Sequence, residues 1–111
     1  MKLAQGTQEK IQDLQLSEQA LQNILLQKQA FQLELNETDA ALHEVEKAKD
    51  EVYKIVGQIM LKSEKHEIKK ELDDKKKILE LRLKALEKQE NIIKEKLETL
   101  KKAIEEELKS K

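Results

Sequence analysis

The stretch DEVYKIVGQIMLKSEK (residues 50–65) decides the fold, because it is the one part of this chain that does not favour a helix. Two short apolar and β-prone runs, Val52–Val56 and Ile59–Leu61, flank the dipeptide Gly57-Gln58. A glycine in the first position of a two-residue loop is typical of a type II′ turn between antiparallel strands. The pattern therefore predicts a β-hairpin over about residues 51–62.

The predicted hairpin is apolar on both faces. Counting outward from the turn places Val56 opposite Ile59 and Ile55 opposite Met60. Burying one such side chain is worth about 1.5–3 kcal/mol, and a lone two-stranded hairpin is only marginally stable in water. We therefore expect hairpins from several chains to join into a shared sheet or barrel. The residues expected to form this oligomerisation surface are Val52, Tyr53, Ile55, Val56, Gly57, Ile59, Met60 and Leu61. The alternative is that residues 50–65 simply continue one very long helix.

The segment before the hairpin has the periodicity of a coiled-coil helix. Positions spaced alternately three and four residues apart are mostly apolar, with a few polar members, which predicts a helix over about residues 8–48. These positions, the first predicted seam, are Leu14, Ser17, Leu21, Ile24, Lys28, Phe31, Leu35, Thr38, Leu42 and Val45.

The segment after the hairpin carries a heptad repeat and predicts a helix over about residues 64–109, with Ser63 as its N-cap. Its predicted seam consists of Leu72, Lys76, Leu79, Leu83, Leu86, Glu90, Ile93, Leu97, Leu100 and Ile104. Two helices joined by a short connection are expected to fold back on each other. The expected fold is one α-dominated domain over residues 1–111, an antiparallel two-helix coiled coil joined by a central β-hairpin.

Composition agrees with long helices and argues against several classes of function. Charged residues make up 41% of the chain and aromatic residues 2%, and there is no proline, a composition typical of a coiled coil. The 22 basic and 23 acidic residues interleave along the chain, so neither a nucleic-acid interface nor an anionic-membrane interface is expected. There is no cysteine for a disulfide or a thiolate metal site. No signal peptide or membrane span is predicted, and the expected location is cytoplasmic.

The sequence holds no recognisable catalytic pattern. Gly6 and Gly57 are isolated, so no glycine-rich phosphate loop is predicted, and neither His43 nor His66 has a second histidine at metal-binding spacing. Acidic and apolar residues interrupt the lysine-rich stretch at residues 69–77. This mixture favours a solvated helix face over a phosphate-binding patch. We therefore expect no enzyme activity, no cofactor and no metal.

Three stretches together resemble the β-type subunits of prefoldin. They are LQKQAFQLELNETDAALHEVE (residues 26–46), EVYKIVGQIMLK (51–62) and LRLKALEKQENIIKEKL (81–97). One hairpin rather than two matches the β class. The resemblance implies a hexamer of two α-type subunits and four β-type subunits, in which the hairpins build a β-barrel platform that carries six coiled coils. It also implies that the coiled-coil tips hold unfolded polypeptides without ATP and pass them to a group II chaperonin.

The expected client-binding site lies where the two helix ends meet, at residues near 1–20 and 95–111. The apolar residues assigned to it are Leu3, Ile11, Leu14, Leu16, Leu97, Leu100, Ile104 and Leu108. Loosely paired helix ends can offer adaptable contacts to unfolded chains. The alternative is that all of these residues only hold the helices together. The chain would then be a structural coiled-coil scaffold or tether without client binding.

Overall fold

The computed structural model describes residues 4–49 and 51–109, so the predicted client-binding residue Leu3 lies outside the described residues. The order of elements is helix, hairpin, helix, as the sequence predicts. The elements are α1 (Gln5–Lys47), β1 (Val52–Val56), β2 (Ile59–Ser63) and α2 (Lys65–Lys109). Both helices begin and end within three residues of the predicted bounds.

The hairpin has the predicted strand pairing. β1 and β2 are antiparallel, with Val56 opposite Ile59 and Ile55 opposite Met60. Gly57 has a φ of 62°, and Gln58 beside it does not have a positive φ, which is the pattern of a type II′ turn. Glycine suits this position because it has no Cβ to clash in the left-handed region. The alternative of one uninterrupted helix is wrong.

The described part of residues 30–84 forms one compact unit, which contains the hairpin. In it, the second half of α1 packs on the first half of α2 through buried seam positions. These are Thr38, Leu42, Val45 and Leu79. A cation–π contact adds to this packing, since the Arg82 guanidinium carbon lies 5.5 Å from the centre of the Phe31 ring.

The described parts of residues 1–29 and 85–111 form a second unit. Here the first half of α1 packs on the second half of α2, again along the seam. The buried residues are Thr7, Ser17, Ile24, Leu86, Glu90, Leu97 and Ile104. In both units the members of the two predicted seams are buried or half-buried. The heptad pattern therefore identified the helix contact surface correctly.

The start of α2 differs from the prediction. Ser63 is the last residue of β2, where it pairs with Val52, so it cannot also be the N-cap of a helix that begins at Lys65. The ladder bonds of the hairpin extend the strand through Ser63. Lys65 instead links the helices, because its Nζ donates hydrogen bonds of 3.1 Å to the backbone carbonyls of Glu46 and Ala48 at the end of α1.

Candidate functional site: the hairpin and the helix ends

The hairpin exposes nearly all of its apolar side chains. Val52 is half-buried, and the other large apolar residues assigned to oligomerisation are 50–69% exposed. They are Tyr53, Ile55, Val56, Ile59, Met60 and Leu61. Isolated exposed apolar residues are ordinary on protein surfaces, but a contiguous patch marks an interaction site.

The backbone of the hairpin is as open as its side chains. In the described part of the chain the sheet contains two strands, β1 and β2, which pair with each other. Each strand therefore has an outer edge whose backbone groups have no strand beside them. Such edges are templates for pairing with another strand. The hairpin thus offers both apolar faces and two unoccupied edges.

One ion pair joins the hairpin to α2 and another lies at its base, and both leave its apolar side chains uncovered. Lys54 Nζ lies 3.0 Å from an oxygen of Glu71 on α2. Glu51 accepts a 2.6 Å hydrogen bond from the Tyr53 hydroxyl and lies 2.7 Å from Lys62 Nζ. The bonds from Lys62 and Tyr53 lower the pKa of the Glu51 carboxyl, and the same bond to Glu51 raises the pKa of the Tyr53 phenol. At neutral pH, Glu51 is therefore ionised and Tyr53 remains a proton donor.

The predicted client-binding residues divide into three groups. Leu97 and Ile104 are buried between the helices. Ile11, Leu14 and Leu100 are half-buried. Leu16 and Leu108 are exposed at 60% and 49%. All of these residues lie in the unit formed by the two helix ends. Among them, only Leu16 and Leu108 present about half or more of their available surface to solvent.

The structure contains a polar contact at the helix ends that the sequence did not predict. Glu107 on α2 accepts a hydrogen bond from the Thr7 hydroxyl and pairs with the Lys10 ammonium group. We call these three residues the tip clasp. The sequence contains a signal for it, because Thr7 stands seven residues before Leu14 and Glu107 stands seven residues after Leu100. The two seams therefore extend to the clasp with polar residues.

A second polar contact lies within the seam. Lys28 Nζ on α1 is 2.8 Å from Glu90 on α2, and Lys94 Nζ approaches the other Glu90 oxygen at 3.2 Å. These bonds lower the pKa of the Glu90 carboxyl, and the bond to Glu90 raises the pKa of the Lys28 ammonium group. Both residues were predicted to be seam members. Their pairing was not predicted, because it depends on the stagger of the two helices.

The described residues contain no cluster of three or more histidine, cysteine or acidic side chains that could hold a metal ion. Within the same residues, neither helix combines the length and apolar character needed to cross a membrane. The features with interaction potential are therefore the uncovered hairpin and the ends of the coiled coil.

This combination matches a known family. The family model described as "Prefoldin subunit" matches residues 8–111. The chain belongs to the prefoldin subunit family. The prefoldin subunit beta of Pyrococcus furiosus is 39% identical over 98 residues, covering 86% of this chain and 84% of that protein. The same subunit of Thermococcus onnurineus is 40% identical over 94 residues, covering 83% and 81%.

A solved structure extends the likeness to prefoldin from sequence to three dimensions. The crystal structure of the prefoldin beta subunit from Thermococcus strain KS-1 superposes with a TM-score of 0.88 at 38% identity, covering 95% of this chain and 94% of that chain. Helix, hairpin and helix are therefore shared over nearly the full length. The resemblance inferred from the sequence is confirmed, and the chain is a member of a family of chaperone subunits.

Proposed function

We propose that this chain is the β-type subunit of a prefoldin hexamer, in which four copies join two α-type subunits through their hairpins. The observation that carries this proposal is the uncovered hairpin, whose large apolar side chains are 50–69% exposed apart from half-buried Val52. Pairing at both outer edges with neighbouring hairpins satisfies the open backbone groups and covers the apolar faces together. A sheet that closes on itself into a barrel leaves no edge open.

The proposed activity is holding unfolded polypeptides without ATP and delivering them to a group II chaperonin. The exposed Leu16 and Leu108 support it, because apolar side chains on helix ends can contact unfolded chains of many sequences. Half-buried Ile11, Leu14 and Leu100 add apolar area if the helix ends separate. Neither glycine belongs to a phosphate loop, since Gly57 forms the hairpin turn and Gly6 lies in α1.

A scaffold or tether without client binding is the second candidate. The burial of Leu97 and Ile104 favours it, because side chains that hold the helices together are not available to a client. The tip clasp favours it too, since it links the ends that would have to separate. The two candidates share the same assembly and differ in what the helix ends do.

Light scattering separates the two functions. A heat-denatured protein is followed with and without the assembly formed from this chain and an α-type partner. Suppression of aggregation at near-stoichiometric ratios supports a holdase, whereas unchanged scattering supports a scaffold. Sedimentation in parallel reports whether the assembly has formed.

The variant Leu16→Ser with Leu108→Ser tests whether the helix ends are the client site. Each substitution removes exposed apolar area and should weaken client holding, by about 1 kcal/mol per contacted side chain. Ile104 is left unchanged because it is buried and its loss would destabilise the helix pair. The mass of the assembly should not change. Full activity of the correctly assembled variant would show that clients bind elsewhere on the chain.

A further inference from the structure

The tip clasp connects the two helices at their chain-terminal ends. Its acceptor is Glu107, close to the end of α2 at Lys109. Its donors are Thr7 and Lys10, in the first turns of α1. One or two turns inward along the seams lie half-buried Leu14 on α1 and buried Ile104 on α2. The clasp therefore holds the two helix ends together just beyond the last apolar residues of the seam.

The clasp is built so that it can open. The side chains of Lys10 and Glu107 remain 39% and 32% exposed, and ion pairs in contact with water are weak and screened by salt. Thr7 is 2% exposed while its hydroxyl donates to Glu107. When the ends separate, water can replace the partner of each of these groups. Opening therefore exposes these three polar groups to water and does not leave them buried without partners, which limits its cost.

The position of Glu107 near the C-terminus of α2 separates two effects of neutralising it: the effect on α2 itself and the effect on the link to α1. A carboxylate near the C-terminus of a helix is disfavoured by the helix dipole. Considering α2 by itself, neutralising Glu107 should therefore stabilise the C-terminal end of the helix. If neutralisation instead loosens the helix ends, it has removed contacts of Glu107 that outweigh this gain, and the described contacts are those with Thr7 and Lys10 on α1.

We propose that the tip clasp is a gate that sets how much apolar helix-end surface an unfolded polypeptide can reach. Closed, the clasp keeps Ile104 and Leu14 within the seam; open, it adds them to the exposed Leu16 and Leu108. The gate rests on the proposed holdase function. It predicts that weakening the clasp improves client holding, whereas a purely structural link predicts no improvement or a loss.

The test compares the wild-type full chain with Glu107→Gln and Thr7→Val, each assembled with the α-type partner. Glu98→Gln is the matched control, because Glu98 pairs with Lys102 on the same helix and makes no link to α1 in that pair. Amide hydrogen exchange is measured in residues 4–14 and 100–109. At low salt we expect exchange about three- to fivefold faster in Glu107→Gln, a smaller increase in Thr7→Val and none in the control. The difference between wild type and Glu107→Gln should shrink at about 0.5 M salt, where charges are screened over a few ångströms.

Client affinity is measured with reduced, carboxymethylated α-lactalbumin as a permanently unfolded probe. If the open fraction rises three- to fivefold, the apparent affinity should rise by up to the same factor. Unchanged exchange in Glu107→Gln would overturn the clasp. Faster exchange with unchanged or weaker binding, when the wild type binds the probe, would overturn the gate while leaving the holdase proposal standing. Binding by neither protein would overturn the holdase proposal and the gate with it, whereas binding by the variant alone would support both.

Discussion

Leu79 and Leu86 in the helix seam are 2% and 7% exposed, whereas Ile55 and Met60 in the hairpin are 69% and 63% exposed. The seam also contains buried polar side chains, such as Thr38, so it is the less uniformly apolar of the two regions. The region with the more continuous apolar surface is thus the one that this chain leaves uncovered. Burial in the seam needs only the chain itself, while burial of the hairpin needs other chains.

Charging the hairpin should have the largest effect, because it disrupts the surface through which we propose that the chains assemble. The double variant Ile55→Asp with Ile59→Asp places one carboxylate on each apolar face of the hairpin. A charge cannot be buried without a partner, so the oligomer should dissociate while the helices persist. Sedimentation measures the mass and circular dichroism measures the helix content. An unchanged mass would show that assembly does not depend on these faces.

Truncating the seam should instead destabilise the chain itself. Leu79→Ala removes a side chain that is 2% exposed and should lower the free energy of unfolding by about 2–5 kcal/mol. The control Leu81→Ala lies two residues away on the same helix at 67% exposure, and it should change that free energy by no more than about 0.5 kcal/mol. The two variants are compared by urea unfolding, with circular dichroism as the signal. Equal losses would mean that Leu81 is covered in the assembled protein.

A substitution at the hairpin turn should lower the free energy of unfolding through backbone conformation alone. A Cβ added to Gly57 meets no atom within 4 Å, yet φ is positive there. Gly57→Val should therefore cost about 1–2 kcal/mol through backbone strain rather than through a clash. Gly6→Ala is the opposite control, because this helical glycine also has open space around it, and alanine should stabilise α1 by up to about 1 kcal/mol. Urea midpoints that moved in the same direction for both variants would contradict this assignment.

The sequence predicted those features that depend on local spacing. Residues three and four apart define the seam, and the two-residue loop at Gly57 fixes every strand pair, so both predictions were confirmed. Ser63 was wrongly predicted as a helix cap because the competing strand pair with Val52 extends the hairpin by one residue. The contacts between Lys28 and Glu90 were not predicted, because they depend on how the two helices are staggered.

The helix ends show the same limit of sequence reasoning. Ile104 belongs to the heptad and is buried, while Leu108 lies off the heptad and is exposed. The spacing alone could therefore have separated residues that hold the helices from residues that face solvent. It could not reveal that Glu107 contacts a hydroxyl and an ammonium group of α1, because those contacts again depend on the stagger of the two helices.

The smallest expected effect concerns the charged pair within the helix seam, Lys28 and Glu90. Lys28 and Lys94 lower the pKa of Glu90 below its ordinary value of 4.5. A lowered folded-state pKa stabilises the fold above pH 4.5, and this contribution is lost as the pH falls through the folded-state value. The pKa of Lys28 is raised above its ordinary 10.5. Its contribution is complete below pH 10.5 and is lost as the pH rises through the folded-state value.

The variant Glu90→Gln isolates this contribution, because it removes the ionisable group and retains nearly the same shape. The difference in unfolding free energy between wild type and variant should be constant at neutral pH and should shrink toward both acid and alkaline pH. Glu98→Gln is the matched control, since that carboxylate pairs with Lys102 on the exposed surface, and its difference from wild type should stay small throughout. Urea unfolding at a series of pH values gives both curves. A difference for Glu90→Gln that did not depend on pH would mean that Glu90 acts through shape and hydrogen bonding, and that its charge contributes nothing to the seam.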